Sequence, residues 1–371
     1  MSEKNNGSNN QVGLRMKKEN EFILELCKFK SFDKEKIIKW IEDNDMDYPY
    51  VLGQILWNRV GSVAYHTLLG CNVLGKLNRE FCNPLKSVYF SNTLKTESFI
   101  KCINEILNIS AKMNFPHAWL KGSCLVNLYP KGLRTSNDFD VLLDSDNVTK
   151  MSNLLKSKGF KQGYIRNDIF KPVDRRMILS SKLNRGETVP FVKEINFPLM
   201  KYIEIDINFS LEYKPENNSN IVRTILENIN DNGIRTLSQV DFLIHLCSHL
   251  YKEATVYNWV EMGRDLSLYK FVDIYLLITN VMSKPFSDGL TERIIEFELN
   301  EPCYYALYNT KLLFNIENRD LDNILNKIKP KNIEFMTTII NPSNGEKYKY
   351  DIDFISWLFI NNRKKELTAI K

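Results

Sequence analysis

The composition of this chain is that of a globular protein, because 43% of its residues are apolar and 26% are charged. Its length of 371 residues is enough for two ordinary domains or for one core wrapped in helices. The net charge of +5, from 50 Lys and Arg against 45 Asp and Glu, is too small to indicate nucleic-acid binding by itself. Scattered cysteines without a Cys-x-x-Cys pair, a polar N-terminus and apolar runs too short to cross a bilayer predict a cytoplasmic protein with no zinc and no membrane partner.

The N-terminal part of the chain is predicted to be helical after a polar segment. Residues 1–19 are rich in Asn, Ser and Lys, which predicts disorder. Residues 20–112 then carry apolar side chains at helical spacing, as in the stripe that contains Phe99, Ile103 and Ile106. These apolar faces are most simply core, and we assign no chemistry to them.

The spacing changes in residues 113–215, which we interpret as an α/β core. Short apolar runs bounded by turn residues are typical of buried strands, and they alternate here with short helical patterns. Segment 167–200 is charged and interrupted by prolines, so its length predicts a functional loop or an irregular sheet edge. The predicted strands are Ala118–Leu120, Phe139–Leu143, Phe160–Ile165 and Tyr202–Phe209, and the predicted helices are Cys124–Tyr129 and Val148–Lys158.

Helical spacing returns in residues 216–371, notably from Ser238 to Thr279 and again beyond Leu290. The order along the chain is therefore helical, then mixed, then helical, and no internal repeat is apparent. We predict an α+β fold in which a small mixed β-sheet lies between helical N-terminal and C-terminal regions.

One pair of motifs in the predicted core indicates chemistry. Gly122-Ser123 follows an apolar strand, and a glycine beside a small hydroxyl residue at such a turn lets the backbone approach a phosphate chain. After a spacer of fourteen residues come Asp138 and Asp140, which point to one face of a strand with Cα atoms about 6.6 Å apart. Paired carboxylates at that distance can share the Mg²⁺ ions that phosphoryl-type transfer needs.

A third carboxylate is expected on a neighbouring strand. In the run from Tyr202 to Phe209, Glu204 and Asp206 alternate with isoleucines, so both face away from the core. We choose Asp206 as the third metal ligand and interpret Glu204 as a neighbour on the same face. A lone Asp-x-Asp is usually a solvated strand end, and it is the combination with Gly-Ser and a later acidic strand that favours a metal site.

These motifs resemble a known family. Lys121-Gly122-Ser123, Leu128-Tyr129, Gly132-Leu133-Arg134 and Ser136 to Leu143 are similar to the core of the uncharacterised bacterial nucleotidyltransferases of the polymerase-β-like superfamily. The resemblance extends upstream to Asn58-Arg59-Val60 and downstream to His249-Leu250-Tyr251-Lys252 and Leu268 to Ile274, and so covers most of residues 25–290.

The resemblance implies roles for individual residues. Gly122 and Ser123 would bind phosphate, Asp138 and Asp140 would bind Mg²⁺, and Asp206 would be the third acid. The sequence departs from the family at Asn208, where the family commonly has a histidine. If that histidine assists deprotonation of the acceptor, this protein uses Asp206 or another base, or acts on a different substrate.

Five further residues are candidates for contact with the nucleotide, and each has a structural alternative. Lys121 is also explained as a solvated residue, and Arg134 as half of a structural ion pair. Lys252 and Lys270 are candidates to bind the triphosphate, although both are also explained as surface lysines. His249 either faces the nucleotide or belongs to the core.

A zinc site is not indicated. His245 and His249 lie one helical turn apart and could share a metal, but no third ligand is evident and an apolar stripe explains their helix. We therefore predict that these histidines do not bind zinc.

The leading hypothesis is a Mg²⁺-dependent enzyme that moves a nucleoside monophosphate, with AMP from ATP favoured over another NTP, and releases pyrophosphate. The acceptor is open: a small molecule, a peptide, a protein or RNA, with a role in peptide or natural-product biosynthesis implied by the resemblance. Two alternatives stay open, a toxin or regulator that modifies tRNA or a partner protein, and a non-catalytic nucleotide-binding module. Clustered carboxylates argue against the last, because a scaffold without chemistry has no reason to keep their mutual repulsion.

Overall fold

Helices form the first part of the fold, as predicted. The computed structural model describes residues 16–211, 219–231 and 233–370, with the backbone alone at 182–185 and 219. Asp33, Asp47 and Asn78 cap three of the helices by accepting hydrogen bonds from backbone N–H groups in the first turn. The helices before the first strand are α1 Lys18–Cys27, α2 Lys34–Glu42, α3 Tyr48–Trp57, α4 Gly61–Cys71 and α5 Arg79–Ser110.

The predicted disorder of residues 1–19 was wrong at its end, because α1 begins at Lys18. The apolar face of α1 continues through Phe22, Ile23 and Leu26, which are fully buried, and this burial stabilises the helix from its first turn. Residues 1–15 lie outside the described residues.

A mixed eight-stranded sheet forms the centre of the described chain. Its order is β4-β3-β5-β6-β2-β1-β8-β7, and β2 runs parallel to β6 and antiparallel to β1. The α+β prediction is therefore confirmed. The strands are β1 His117–Trp119, β2 Asp138–Leu143, β3 Lys161–Arg166, β4 Ile169–Pro172, β5 Phe191–Phe197, β6 Met200–Asn208, β7 Ile229–Asn230 and β8 Thr236–Leu237, with helices α6 Gly122–Leu125 and α7 Val148–Ser157 between them.

The two faces of this sheet have different partners. Phe139 and Val141 of β2 point into a core that also contains apolar residues of α5 and α7, and Phe139 stacks on Phe99 with ring centroids 4.3 Å apart. Leu142 points the other way, into a second core shared by the N-terminal and C-terminal helices. Because strand side chains alternate, Asp138 and Asp140 share the face of Leu142. The acids therefore point towards the helical regions.

The segment 167–200 was predicted as a functional loop or an irregular sheet edge, and the structure has the second of these, since β4 is an edge strand of the central sheet and the register of β5 shifts between Glu194 and Phe197. It contains β4, the helix α8 Arg175–Arg185 and β5. Asp174 caps α8, and β5 pairs antiparallel with β6 from Phe191 opposite Ile205. Prolines flank these elements or end them. The composition of the segment is therefore typical of a loop, although the segment contains two strands and a helix.

The C-terminal region is mostly helical but also contains strands, which the sequence did not predict. A three-stranded sheet of order β11-β10-β9 follows the last long helix, and β7 and β8 join the central sheet. The predicted boundary between residues 215 and 216 lies outside the described residues. The elements are α9 Ser219–Glu227, α10 Gln239–Thr255, α11 Tyr257–Glu261, α12 Leu268–Val281, α13 Lys284–Glu296, α14 Asn300–Phe314, α15 Arg319–Ile328, β9 Thr338–Ile340, β10 Lys347–Lys349, α16 Phe354–Phe359 and β11 Thr368–Ile370.

The end of the chain returns to brace helices near the N-terminal region. The buried guanidinium of Arg363 forms two hydrogen bonds with Asp265, at 2.6 and 2.7 Å, between α11 and α12. Gln54 of α3 donates from Nε2 to the Phe359 carbonyl at 3.0 Å. Among the described helices, none is both long and apolar enough to cross a lipid bilayer.

Candidate active site

Four carboxylates lie together on the face of the sheet that points to the helices. The parallel register of β2 and β6 places Asp138 opposite Glu204 and Asp140 opposite Asp206. We call these four residues the acid cluster. Both acids of β6 therefore lie level with an aspartate of β2, so the register alone does not single out Asp206. Asp138, Asp140 and Asp206 line a cavity, whereas Glu204 is not among its lining residues.

Asp140 is held by two donors. Lys121 Nζ lies 2.8 Å from Asp140 Oδ1, and Asn208 Nδ2 donates to the same oxygen at 3.2 Å. Asn208, at the position where the family commonly has a histidine, therefore orients a carboxylate of the cluster and has no titratable group. Asp138 accepts a hydrogen bond from Ser136 Oγ at 2.9 Å.

The acid cluster carries more negative charge than its surroundings neutralise. Burial raises the pKa of Asp206 well above its ordinary value, and the charges of Asp140 and Asp138 raise it further. The same causes raise the pKa of Asp138, with burial first and Asp140 second, and they raise the pKa of Glu204 to about 7. A bound cation would relieve this repulsion.

The donor chemistry of the cluster fits Mg²⁺, which prefers carboxylate oxygens and water. Asp138, Asp140 and Asp206 are the residues that could hold it, since they reach the cavity. Within the described part of the chain, no three His, Cys, Asp or Glu side chains are already arranged as a metal cage. Lys121 instead occupies an oxygen of Asp140, so this ammonium and a metal ion would compete for one carboxylate.

Gly122 and Ser123 are the first two residues of the four-residue helix α6, which is shorter than the predicted helix Cys124–Tyr129. Lys121 has φ 45° and ψ −118°, a conformation that is costly for a residue with a Cβ atom and directs its side chain to the acid cluster. The hydroxyl of Ser123 is buried and donates to the Leu120 carbonyl at 2.6 Å. Neither Gly122 nor Ser123 is among the residues that line the cavity. Their contact with phosphate stays a prediction.

Gly122 has a structural role that the sequence did not reveal. A Cβ atom at this position would lie 2.3 Å from Ser136 Oγ and 2.4 Å from its Cβ, far inside contact distance. We expect Gly122→Ala to lower the free energy of unfolding by about 1–3 kcal/mol, the usual effect of overpacking. In chemical denaturation, Ser136→Gly should restore most of the loss in the Gly122→Ala background. An additive double variant would contradict this contact, and Gly53→Ala, where no atom lies within 4 Å, is the matched control.

Basic residues of α10 and α12 lie across from the acid cluster. Lys252 Nζ lies 3.8 Å from Glu187 Oε2, and Lys270 forms an ion pair with Glu253. His249 Nε2 lies 3.4 Å from the same Glu253 carboxylate. The structure thus brings His249, Lys252 and Lys270 to one cavity with Lys121, as the nucleotide-binding prediction requires, although an acidic residue lies beside each of them.

The surroundings of His249 favour the neutral form of its ring. Burial lowers its pKa well below the ordinary value, and Lys121 lowers it further. His245 stacks behind it with ring centroids 6.2 Å apart, and burial lowers the pKa of His245 to about 3. Neither ring nitrogen of His245 has a hydrogen-bond partner among the described residues. The pair therefore offers at most one histidine, His249, to a ligand in the cavity.

Arg134 forms the structural ion pair that was one of its two predicted alternatives, and its contact with the nucleotide stays a prediction. Its Nε donates to the two Asp273 oxygens at 3.0 and 3.1 Å, and Tyr129 donates to the same carboxylate at 2.7 Å. The guanidinium also lies 4.8 Å from the centroid of the Tyr269 ring and lines the cavity. Arg134 is therefore an ion-paired residue at the cavity wall.

The cavity has a volume of about 810 Å³, within the range of sites that hold cofactor-sized ligands. Its lining also contains residues that the sequence analysis did not select. They come from the α3–α4 junction and from the α11–α12 segment, and only Arg59 and Tyr269 fell within segments that resembled the family. The residues are Trp57, Arg59, Trp259, Arg264 and Tyr269.

One comparison with known proteins identifies the family of this chain. Residues 44–315 match the model of a family described as uncharacterised nucleotidyltransferase, and this range includes the acid cluster, the Gly-Ser turn and the basic residues of α10 and α12. A search of curated proteins gave no match. Because the match covers most of the chain, the protein belongs to this family of nucleotidyltransferases, enzymes whose activity implies a nucleoside triphosphate substrate.

Proposed function

We propose that the protein transfers a nucleoside monophosphate, AMP from ATP, to an acceptor with release of pyrophosphate, and that it requires Mg²⁺. The observation that carries this proposal is the register of β2 and β6, which sets Asp140 level with Asp206 on the wall of a cavity that also contains Lys121. A pair of carboxylates beside a basic group is the arrangement expected where phosphate charge must be both bound and aligned.

Asp138, Asp140 and Asp206 are the proposed ligands of Mg²⁺, which when bound neutralises phosphate charge and polarises the reacting group. The chain's own residues have separate tasks. Lys121, held at the turn before α6, is placed to release Asp140 and to pair with a phosphate oxygen. Burial opposes the charge of Lys121, but Asp140 and Asp138 outweigh that effect and raise its pKa, so it is a cation when a nucleotide enters.

Lys252 and Lys270 are proposed to bind the terminal phosphates. Both lie on the wall that faces the acid cluster, and each has a carboxylate neighbour, Glu187 and Glu253, that compensates its charge. These ion pairs are partly buried, so each ammonium needs a negative partner. A phosphate of the nucleotide can take the place of the carboxylate as that partner. Asp206 is then the group nearest to Asp140 that can orient the acceptor or take its proton.

The reaction itself can be tested with ATP labelled separately at the α and γ phosphates, in the presence of Mg²⁺ and a cell extract that supplies the acceptor. We expect the α label in a product and the γ label in pyrophosphate. A kinase would give the opposite distribution, because it passes on the γ-phosphate and leaves ADP. The Asp140→Asn protein in the same extract is the control for other enzymes. Label from the γ position in product would overturn the proposal, and binding of ATP without any transfer would favour a binding module.

A further inference from the structure

Part of the cavity lining differs in chemistry from the acid cluster. We call the residues Trp57, Arg59, Trp259, Arg264 and Tyr269 the arginine–aromatic wall. None of them is a carboxylate, whereas the rest of the lining includes Asp138, Asp140, Glu187, Asp206 and Glu253. No ion pair joins Arg59 or Arg264 to a carboxylate within the described parts of the chain, in contrast to Lys121, Lys252 and Lys270.

Arg59 is held in an unusual backbone conformation. Its φ is 58°, in the left-handed region that costs free energy for residues with a side chain. The guanidinium lies over the ring of Tyr269 at 5.7 Å from the centroid. Asn58 fixes this arrangement, because its Oδ1 accepts from Leu268 N at 3.0 Å and so joins the end of α3 to the start of α12. The strain is therefore maintained by contacts on both sides.

The aromatic part of the wall is also positioned in advance. Trp57 is 49% exposed, and its indole packs against Gly263, where a Cβ atom would lie 3.6 Å from Cζ2. The α11–α12 segment that carries Gly263 is anchored through Asp265 to the buried Arg363. An exposed indole that packs against an anchored segment is a surface on which a flat apolar group can stack.

The wall and three residues of the acid cluster, Asp138, Asp140 and Asp206, line one cavity. Lys95 is close to both sets of residues, since Asp138 raises the pKa of its ammonium and Arg59 lowers it, after the lowering effect of burial. A ligand bound at the wall therefore shares the cavity with the proposed nucleotide site.

We propose that the arginine–aromatic wall is the acceptor subsite and that it selects a molecule with a flat apolar group next to an anionic group. This inference rests on the proposed function, which assigns the acid cluster, Lys252 and Lys270 to the nucleoside triphosphate. A second substrate must then bind elsewhere in the same cavity, and the wall supplies aromatic surface with two arginines. The same arginines disfavour a cationic acceptor such as an amino sugar or polyamine, because like charges would be brought together.

The test uses the full-length protein saturated with Mg²⁺ and α,β-methylene-ATP, an analogue whose α–β bridge cannot be cleaved. Phenylacetate and phenyl phosphate are titrated into it by calorimetry, with phenethylamine as the cationic counterpart. We expect both anions to bind at least about tenfold more tightly than the amine, the effect of one charge-assisted contact. A carboxylate and a phosphate are both used because the guanidinium groups accept either.

Two variants connect this binding to the wall. Trp57→Ala removes the exposed indole, and Arg59→Asn removes the guanidinium while keeping a residue that tolerates positive φ. Each is expected to weaken the binding of both anions about tenfold and to change the affinity for the ATP analogue less than about twofold. Phe90→Ala and Arg79→Gln, exposed residues of α5, are the matched controls and should leave all affinities unchanged.

Several results would overturn the proposal. If the ATP analogue displaces the anions and Trp57→Ala lowers the affinity for the analogue, the wall binds the nucleobase. If phenethylamine binds as tightly as the anions, or if neither anion binds, the wall does not select an anionic aryl group. Failure of the analogue itself to bind would instead contradict the proposed function. Circular dichroism checks that both variants are folded. If Trp57→Ala is unfolded, the affinities of Arg59→Asn test the proposal.

Discussion

Replacing either aspartate of β2 should abolish nucleotide transfer. Asp138→Asn and Asp140→Asn each keep the shape of the side chain but remove a negative charge from the proposed Mg²⁺ site, where phosphate charge is stabilised. Loss of a single group that stabilises charge in the reaction lowers kcat by about 10²–10³-fold. The measurement is α-label transfer from ATP at saturating Mg²⁺, and wild-type rates in both variants would contradict the site.

The two variants should differ in stability, and this difference serves as an internal control. Burial and the charge of Asp140 raise the pKa of Asp138, which means that the folded protein disfavours its ionised form at neutral pH. We therefore expect Asp138→Asn to leave the free energy of unfolding unchanged or raise it. Asp140→Asn should lower it, because it removes the 2.8 Å ion pair of Lys121. Loss of activity in a stable Asp138→Asn protein cannot be ascribed to unfolding.

On β6, replacing Asp206 should reduce transfer far more than replacing Glu204. Asp206 lies opposite Asp140 and lines the cavity, whereas Glu204 lies opposite Asp138 and is not a lining residue. We expect Asp206→Ala to lower kcat by at least about a hundredfold and Glu204→Ala by no more than a few-fold. Both residues are on the same strand face, so each variant is the control for the other.

The opposite order of effects, with Glu204→Ala the more damaging, would reverse the choice of third acid. This result is a real alternative, because the negative charges of Asp138 and Asp140 raise the pKa of Glu204 after burial does. A structure with Mg²⁺ bound would show the same reversal as a Glu204 oxygen closer than Asp206 to the ion. Because only Asp206 lines the cavity, the ratio of the two kcat values decides which acid of β6 takes part in the reaction.

Local patterns determined much of the core. The spacing of Asp138 and Asp140 on a strand places both on one face, and β2 ends where the sequence predicted and begins one residue earlier, at Asp138. The helix at Val148–Ser157 also followed from apolar spacing, within one residue. Segment 167–200 did not, because its two short strands are stabilised by pairing with β3 and β6 rather than by their own composition.

The sequence by itself determined the chemistry available to this protein: paired aspartates, a Gly-Ser turn, an acidic strand and a family resemblance. Only the tertiary structure decided which groups meet. In the folded protein Asp206 lies level with Asp140, and Lys121 and Asn208 both donate to Asp140 Oδ1. Gly122 packs against Ser136. Side-chain direction on a strand is a local property with a period of two, whereas strand register and contacts across a cavity depend on packing between residues far apart in the chain.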